Sequence, residues 1–253
     1  MAGTRYWEID ALRGTAVVMM VVFHTVFILD FFGVRTAELA AGPWRFFALA
    51  TATLFIGVAG VSLSVSSARA ARRLDRRGVA LKNLRRGAEL FLVGMGISLV
   101  TWLLLPGEFI LFGVLHCIGL SIVLSPLFLG LGRRNFIPGA ILLLLAPLVG
   151  RIGGPLAFAW LGIHPGDFAS LDYVPLVPWL GVFLVGMGLG AALYPGGLRG
   201  FPAREGEQPA LGPVTFLGRH SLPIYLVHVP VILLALALLV PGFTARLLAL
   251  FIP

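Results

Sequence analysis

Apolar residues run in long blocks at about 12–32, 46–67, 88–105, 109–131, 136–150, 174–194 and 222–240. Most of these approach the roughly 20 residues that an α-helix needs, at about 1.5 Å per residue, to cross a hydrocarbon core of about 30 Å. The pattern predicts about seven helices. Two weaker stretches remain: Leu156–Ile163 is too short to span, and Thr244–Ile252 fits an interfacial tail or the end of a bent last helix. The first block follows an acidic and basic segment and lacks a small-residue cleavage site, so a retained helix is expected rather than a signal peptide. No composition shift divides the chain, and residues 1–253 are expected to form a single transmembrane domain. The polar connection Tyr194–Pro213, which includes Arg204, is expected to be a cytoplasmic loop.

Composition sharpens this picture. The chain is 58% hydrophobic and 12% charged, whereas soluble domains carry about 25% charged residues. That excludes a soluble globule, and the fold class is all-α: a polytopic transmembrane helix bundle in a lipid bilayer. The single cysteine, Cys117, excludes an internal disulfide framework. The net charge of +8 suggests nucleic acid until the charges are sorted by side. Most of the 19 Lys and Arg lie in the N-terminal segment and the second, fourth and sixth connections, with a dense run from Arg69 to Arg86. The other side keeps Arg35, Arg45, Arg151 and Arg246. The positive-inside rule then predicts a cytoplasmic N-terminus in a multi-pass protein of the plasma membrane. Topology explains the basic residues, and no nucleic-acid partner is needed.

Ionisable groups inside spans are costly in lipid and mark cavities or pathways. His24 and His228 fall about 16 Å and about 14 Å from the cytoplasmic side, and His116 about 20 Å, all near the membrane middle. At 100° per residue Asp10, Arg13 and His24 share one stripe of the first helix. Ser221, Tyr225 and His228 are spaced i, i+4, i+7 and define one face of the last. Two such stripes are what two walls of an internal cavity present. The plainer readings are helix-to-helix hydrogen bonds for the histidines and an ordinary i,i+3 pair for Asp10 and Arg13. Gly57, Gly60 and Ser64 signal close helix packing, and similar small-residue faces permit a homodimer.

The opening stretch Trp7-Glu-Ile-Asp-Ala-Leu-Arg-Gly-Thr-Ala-Val17, followed by Met19-Met-Val-Val-Phe-His24, resembles the first catalytic helix of transmembrane acyltransferases. The pattern is Asp-x-x-Arg-Gly and then, about ten residues on, a buried polar group. Further matches are Leu54–Leu63, Asp172–Phe183 and Leu217-Gly-Arg-His-Ser-Leu-Pro-Ile-Tyr-Leu-Val-His-Val-Pro230. Together they make the chain similar to prokaryotic relatives of heparan-α-glucosaminide N-acetyltransferase. That resemblance implies an integral-membrane acetyltransferase taking its acetyl group from cytoplasmic acetyl-CoA.

Acyl transfer needs an acceptor amine or hydroxyl deprotonated during attack, and histidine, with an ordinary pKa of about 6.5, suits the task. The expected catalytic set is His24 as general base or transient acyl carrier, with His228, Tyr225 and Asp10. The expected donor-binding set is Arg13, Ser62, Arg69, Arg86, His116 and Ser221. The acceptor, a sugar or other small molecule bearing an amine or hydroxyl, is expected to approach from outside near Arg45, Glu108 or Asp172. No metal is expected, because acetyl-CoA supplies both the group and its activation. The competing class is a small proton-coupled permease in which the same histidines relay protons.

Overall fold

The computed structural model describes residues 5–203 and 208–249; Arg204 and the last residues of the Thr244–Ile252 stretch lie outside them. The described residues are all-α, with two isolated bridge pairs, Phe112 with Tyr173 and Gly153 with His164, and no strand. The helices are α1 (Trp7–Phe31), α2 (Gly42–Ala70), α3 (Arg76–Leu104), α4 (Val114–Leu124), α5 (Phe136–Val149), α6 (Leu176–Leu193), α7 (Gly212–Arg219), α8 (Ser221–Leu239) and α9 (Phe243–Leu248). Among the described residues six helical stretches are long and apolar enough to cross a membrane, the fourth being Leu129–Val149, which α5 completes. Val114–Leu127 is a shorter apolar helix, so the expectation of about seven apolar helices stands.

The fourth predicted run, 109–131, is the one that shrinks. Its first residues stay extended, with Phe112 bridged to Tyr173, and α4 gives way to a 3₁₀ turn with Pro126 in it. Proline has no N–H to continue the ladder. The third run is longer than its apolar stretch because Asp75 caps α3, accepting from Gly78 N at 2.8 Å, and the helix starts among Arg76 and Arg77.

The chain divides into two compact units, residues 1–55 with 205–253, and residues 56–204. In the first, α1 and α7 touch at glycine. A Cβ on Gly14 would collide with the Val214 carbonyl, and one on Gly218 with the Asp10 carbonyl. Further along, Ile28, Ile232, Leu236 and Phe243 form an apolar cluster between α1, α8 and α9. Arg246 ties α9 to the end of α1 by donating to the carbonyls of Phe32 (3.0 Å) and Gly33 (2.7 Å).

In the second unit α2 and α6 close on each other through Gly60, which abuts the Phe183 carbonyl, and Gly186, which abuts that of Gly57. The small residues of the second span therefore serve helix packing. In the connection before α6, Tyr173 donates to the Ala159 carbonyl at 2.7 Å, and burial pushes its phenol up to about 12.

Candidate active site

His24 projects from α1 and donates Nδ1–H to the Met20 carbonyl at 2.9 Å. His228 projects from α8 and donates Nδ1–H to the Tyr225 carbonyl at 2.6 Å. A carbonyl oxygen only accepts, so each Nδ1 holds a hydrogen and the lone pair of each neutral ring sits on Nε2. The two rings meet edge to face, with centroids 4.7 Å apart and planes at 84°. His228 is buried, and its Nε2 has no hydrogen-bond partner among the described residues. Tyr225 lies beside it with ring centroids 5.5 Å apart, and Phe55 packs 6.3 Å from Tyr225. The polar positions of two helices far apart in sequence thus converge on a pair of imidazoles, each tied to its own helix through Nδ1.

About four turns away along α1, towards its start, Asp10 is buried between two guanidinium groups. Arg13 Nη1 lies 3.0 Å from Asp10 Oδ1 and also reaches the Gly218 carbonyl at 3.4 Å. Arg219 Nε lies 3.6 Å from Asp10 Oδ2. One carboxylate thus engages two guanidiniums at the start of α1. The arrangement follows from the glycine contact, since only the missing Cβ of Gly14 and Gly218 lets α7 bring Arg219 to Asp10. Ser221 opens α8 two residues later. In the sequence Arg219 is one more basic residue of the sixth connection; the signal that could have found it is its place in the Leu217-Gly-Arg-His segment.

The second unit distributes its candidates over α2, α3 and α4. His116 lies in the first turn of α4, because that helix starts at Val114 rather than at Phe109. Gly113 N donates to its Nδ1 at 3.1 Å, so Nε2 carries the hydrogen and donates to Ser98 Oγ at 3.3 Å. Ser98 passes its own hydrogen to the Ile110 carbonyl at 2.5 Å. Asp172 caps the same helix start, accepting from Val114 N at 3.0 Å. Both ring nitrogens of His116 are occupied in holding the α4 terminus. Ser62 donates to the Val58 carbonyl at 2.7 Å, and Arg69 Nε donates to the Gly197 carbonyl at 2.9 Å. Arg86 is exposed on α3. Among the described residues no group of three or more His, Cys, Asp or Glu is arranged to hold a metal ion.

Paired imidazoles and a carboxylate set between guanidiniums are groups that can serve the movement of acyl groups or of protons. The chain belongs to a family of the first kind: the family model described as heparan-alpha-glucosaminide N-acetyltransferase, catalytic, matches residues 5–230. That match runs through both units and includes the Asp10, His24, Tyr225 and His228 positions. The protein is a membrane acetyltransferase. No curated protein and no solved structure matches the chain.

Proposed function

We propose that the chain, acting as one acyltransferase domain, transfers the acetyl group of acetyl-CoA to an amine or hydroxyl of an extracytoplasmic acceptor, a glycan being the favoured class. The observation that carries this reading is the His24–His228 pair, whose Nδ1 hydrogens are committed to carbonyls, which makes Nε2 of each ring the nitrogen that can take a proton. In the reaction, the acceptor's nitrogen or oxygen attacks the thioester carbonyl carbon as its proton passes to His24 Nε2. The C–S bond then breaks, and the departing CoA thiolate takes that proton. The oxygen that becomes negative during attack needs a donor, and the Tyr225 hydroxyl beside His228 is assigned that part. His228 holds the Tyr225 segment and the His24 ring in place.

Asp10 is assigned to orienting Arg13, with Arg219 joining it as a positioning residue. Arg13 and Ser221 serve the anionic donor, for which guanidinium and hydroxyl groups supply hydrogen bonds and charge. Ser62, Arg69 and Arg86 keep their sequence-based assignment to the donor, each to be tested by substitution. His116 keeps its assignment too, although its two ring nitrogens already hold α4. The plasma membrane is the proposed location, with the basic connections on the cytoplasmic side where acetyl-CoA is made.

The test uses purified protein in lipid nanodiscs with acetyl-CoA and a panel of amino sugars, following release of free thiol and the acetylated product by mass spectrometry. Acceptor-dependent release is expected, and His24→Ala should lower it by about 100-fold or more, the usual scale of a lost general base. Full transfer by His24→Ala on a validated acceptor would overturn the role of His24. Proton-coupled uptake into liposomes with no CoA requirement would overturn the enzyme reading. Incubation with labelled acetyl-CoA and no acceptor separates direct transfer from an acetyl-His24 route, which alone leaves label on the protein.

A further inference from the structure

The second unit contains a cavity of about 730 Å³ whose lining includes none of the residues assigned to the proposed chemistry. Its size lies within the about 300–1,000 Å³ of small-ligand sites. The walls are mainly aliphatic, among them Ala68, Ala71, Leu74, Val79, Leu127 and Met187. Tyr194 supplies the one aromatic ring in the lining, which is a poor surface for stacking a nucleobase. At the rim Leu127 is 76% exposed and Leu74 44%. Apolar side chains so exposed beside a membrane-spanning helix belong against lipid rather than water.

The same rim is strongly basic. Arg76 lines the cavity, and Arg72 lays its guanidinium against another wall residue by donating to the Gly196 carbonyl at 2.8 Å. Arg133 and Arg134 follow directly on Gly132, also in the lining. Between Arg69 and Arg86 the chain has one acidic residue, Asp75, whose Oδ1 is engaged by Gly78 N. Arg72 and Arg76 lie at the turn between α2 and α3, where a charged segment must sit at the headgroup level of the bilayer, and Arg133 and Arg134 lie in the segment before α5. An aliphatic recess opening among exposed leucines, with arginines at its mouth, matches a molecule with an apolar tail and an anionic head.

We propose that this cavity is a binding site for an anionic phospholipid, one acyl chain entering between α2, α3 and α6 and the phosphate lying against Arg72 and Arg76. The site is independent of acetyl transfer and stands or falls without it. Phosphate accepts hydrogen bonds from guanidinium N–H groups in a fixed fork geometry, so arginine is the side chain suited to holding the head.

Detergent-purified full chain is titrated with phosphatidylglycerol or phosphatidylcholine, with bound lipid counted by native mass spectrometry and the thermal midpoint read in parallel. Wild type should retain phosphatidylglycerol in preference to phosphatidylcholine and gain several degrees from it. Ala68→Phe on α2 and Ala191→Phe on α6 fill the cavity from different helices, and each folded variant should lose both effects. Paired Arg72→Gln and Arg76→Gln should remove the preference for the anionic head. Equal retention of the two lipids, or phosphatidylglycerol retained undiminished by both filled variants, overturns the proposal. Displacement of the lipid by adenosine 3′,5′-bisphosphate at micromolar concentration would also overturn it, making the cavity a site for the donor's nucleotide end.

Discussion

His24 and His228 are each anchored by Nδ1 to a carbonyl of their own helix, so what they offer is set by Nε2. Glutamine can mimic the reach of histidine but has no basic nitrogen at neutral pH. His24→Gln is therefore expected to preserve folding while cutting acetyl transfer by about 100-fold or more, measured as product formed at saturating acetyl-CoA. Asp10 makes a different prediction. Asp10→Asn leaves Arg13 and Arg219 facing each other without the anion, and should destabilise the protein by about 1–3 kcal/mol in a denaturation assay. That is less than the about 3–5 kcal/mol for a fully buried pair, because the guanidiniums are 24% and 31% exposed. Its KM for acetyl-CoA should rise more than kcat falls if Asp10 acts by orienting Arg13. The histidines and Asp10 were legible in the sequence because a charged or basic group in an apolar run is itself the signal. Arg219 was not, since an arginine at a span end is ordinary until a helix crossing brings it to a buried carboxylate. The role of His116 at the start of α4 was equally hidden, because it depends on Ser98 and on where that helix begins.

At the scale of elements, the crossing of α1 and α7 is the feature on which the anion cluster depends. Gly14→Ala or Gly218→Ala would drive a methyl group into a backbone carbonyl that cannot step aside as a flexible side chain can. Either change should cost about 1–3 kcal/mol of stability, seen as a lower thermal midpoint, and should weaken donor binding by separating Arg219 from Asp10. Hydrophobic runs located every long helix, since lipid demands continuous apolar length wherever a helix is to cross it. They located the ends less well. The α3 helix continues through Arg76, Lys82 and Arg86, because a cap and helical propensity are enough to extend it among charges. The run at 109–131 is only partly helical, because Gly113 and Pro126 bound α4 and pairing of Phe112 with Tyr173 holds its approach extended. Tyr173→Phe removes the bond to the Ala159 carbonyl and should cost about 1 kcal/mol, read by the same thermal assay.

For the whole molecule, the distribution of arginine predicts which side of the membrane each connection occupies, and the family match across residues 5–230 sets the class of chemistry. The single native cysteine is buried, so an introduced thiol can be read against a low background. Arg73→Cys, in the turn between α2 and α3, should react with a membrane-impermeant maleimide in inverted vesicles and stay protected in intact cells; the opposite pattern would reverse the proposed orientation. Class was readable from the chain, because the Asp-x-x-Arg-Gly stretch and the closing segment Leu217–Pro230 resemble the family in the expected order. The acceptor was not, since recognition of a sugar or amine rests on a few side chains in short connections that carry no periodic pattern. The most direct measurement supplies acetyl-CoA labelled in the acetyl carbonyl to wild type, His24→Ala and His228→Ala in nanodiscs with an acceptor found by screening, and follows the label by mass spectrometry. Label should appear in the product with wild type and fall to background with folded His24→Ala, with His228→Ala strongly impaired. Undiminished labelling of product by folded His24→Ala and by folded His228→Ala would contradict the paired-histidine centre.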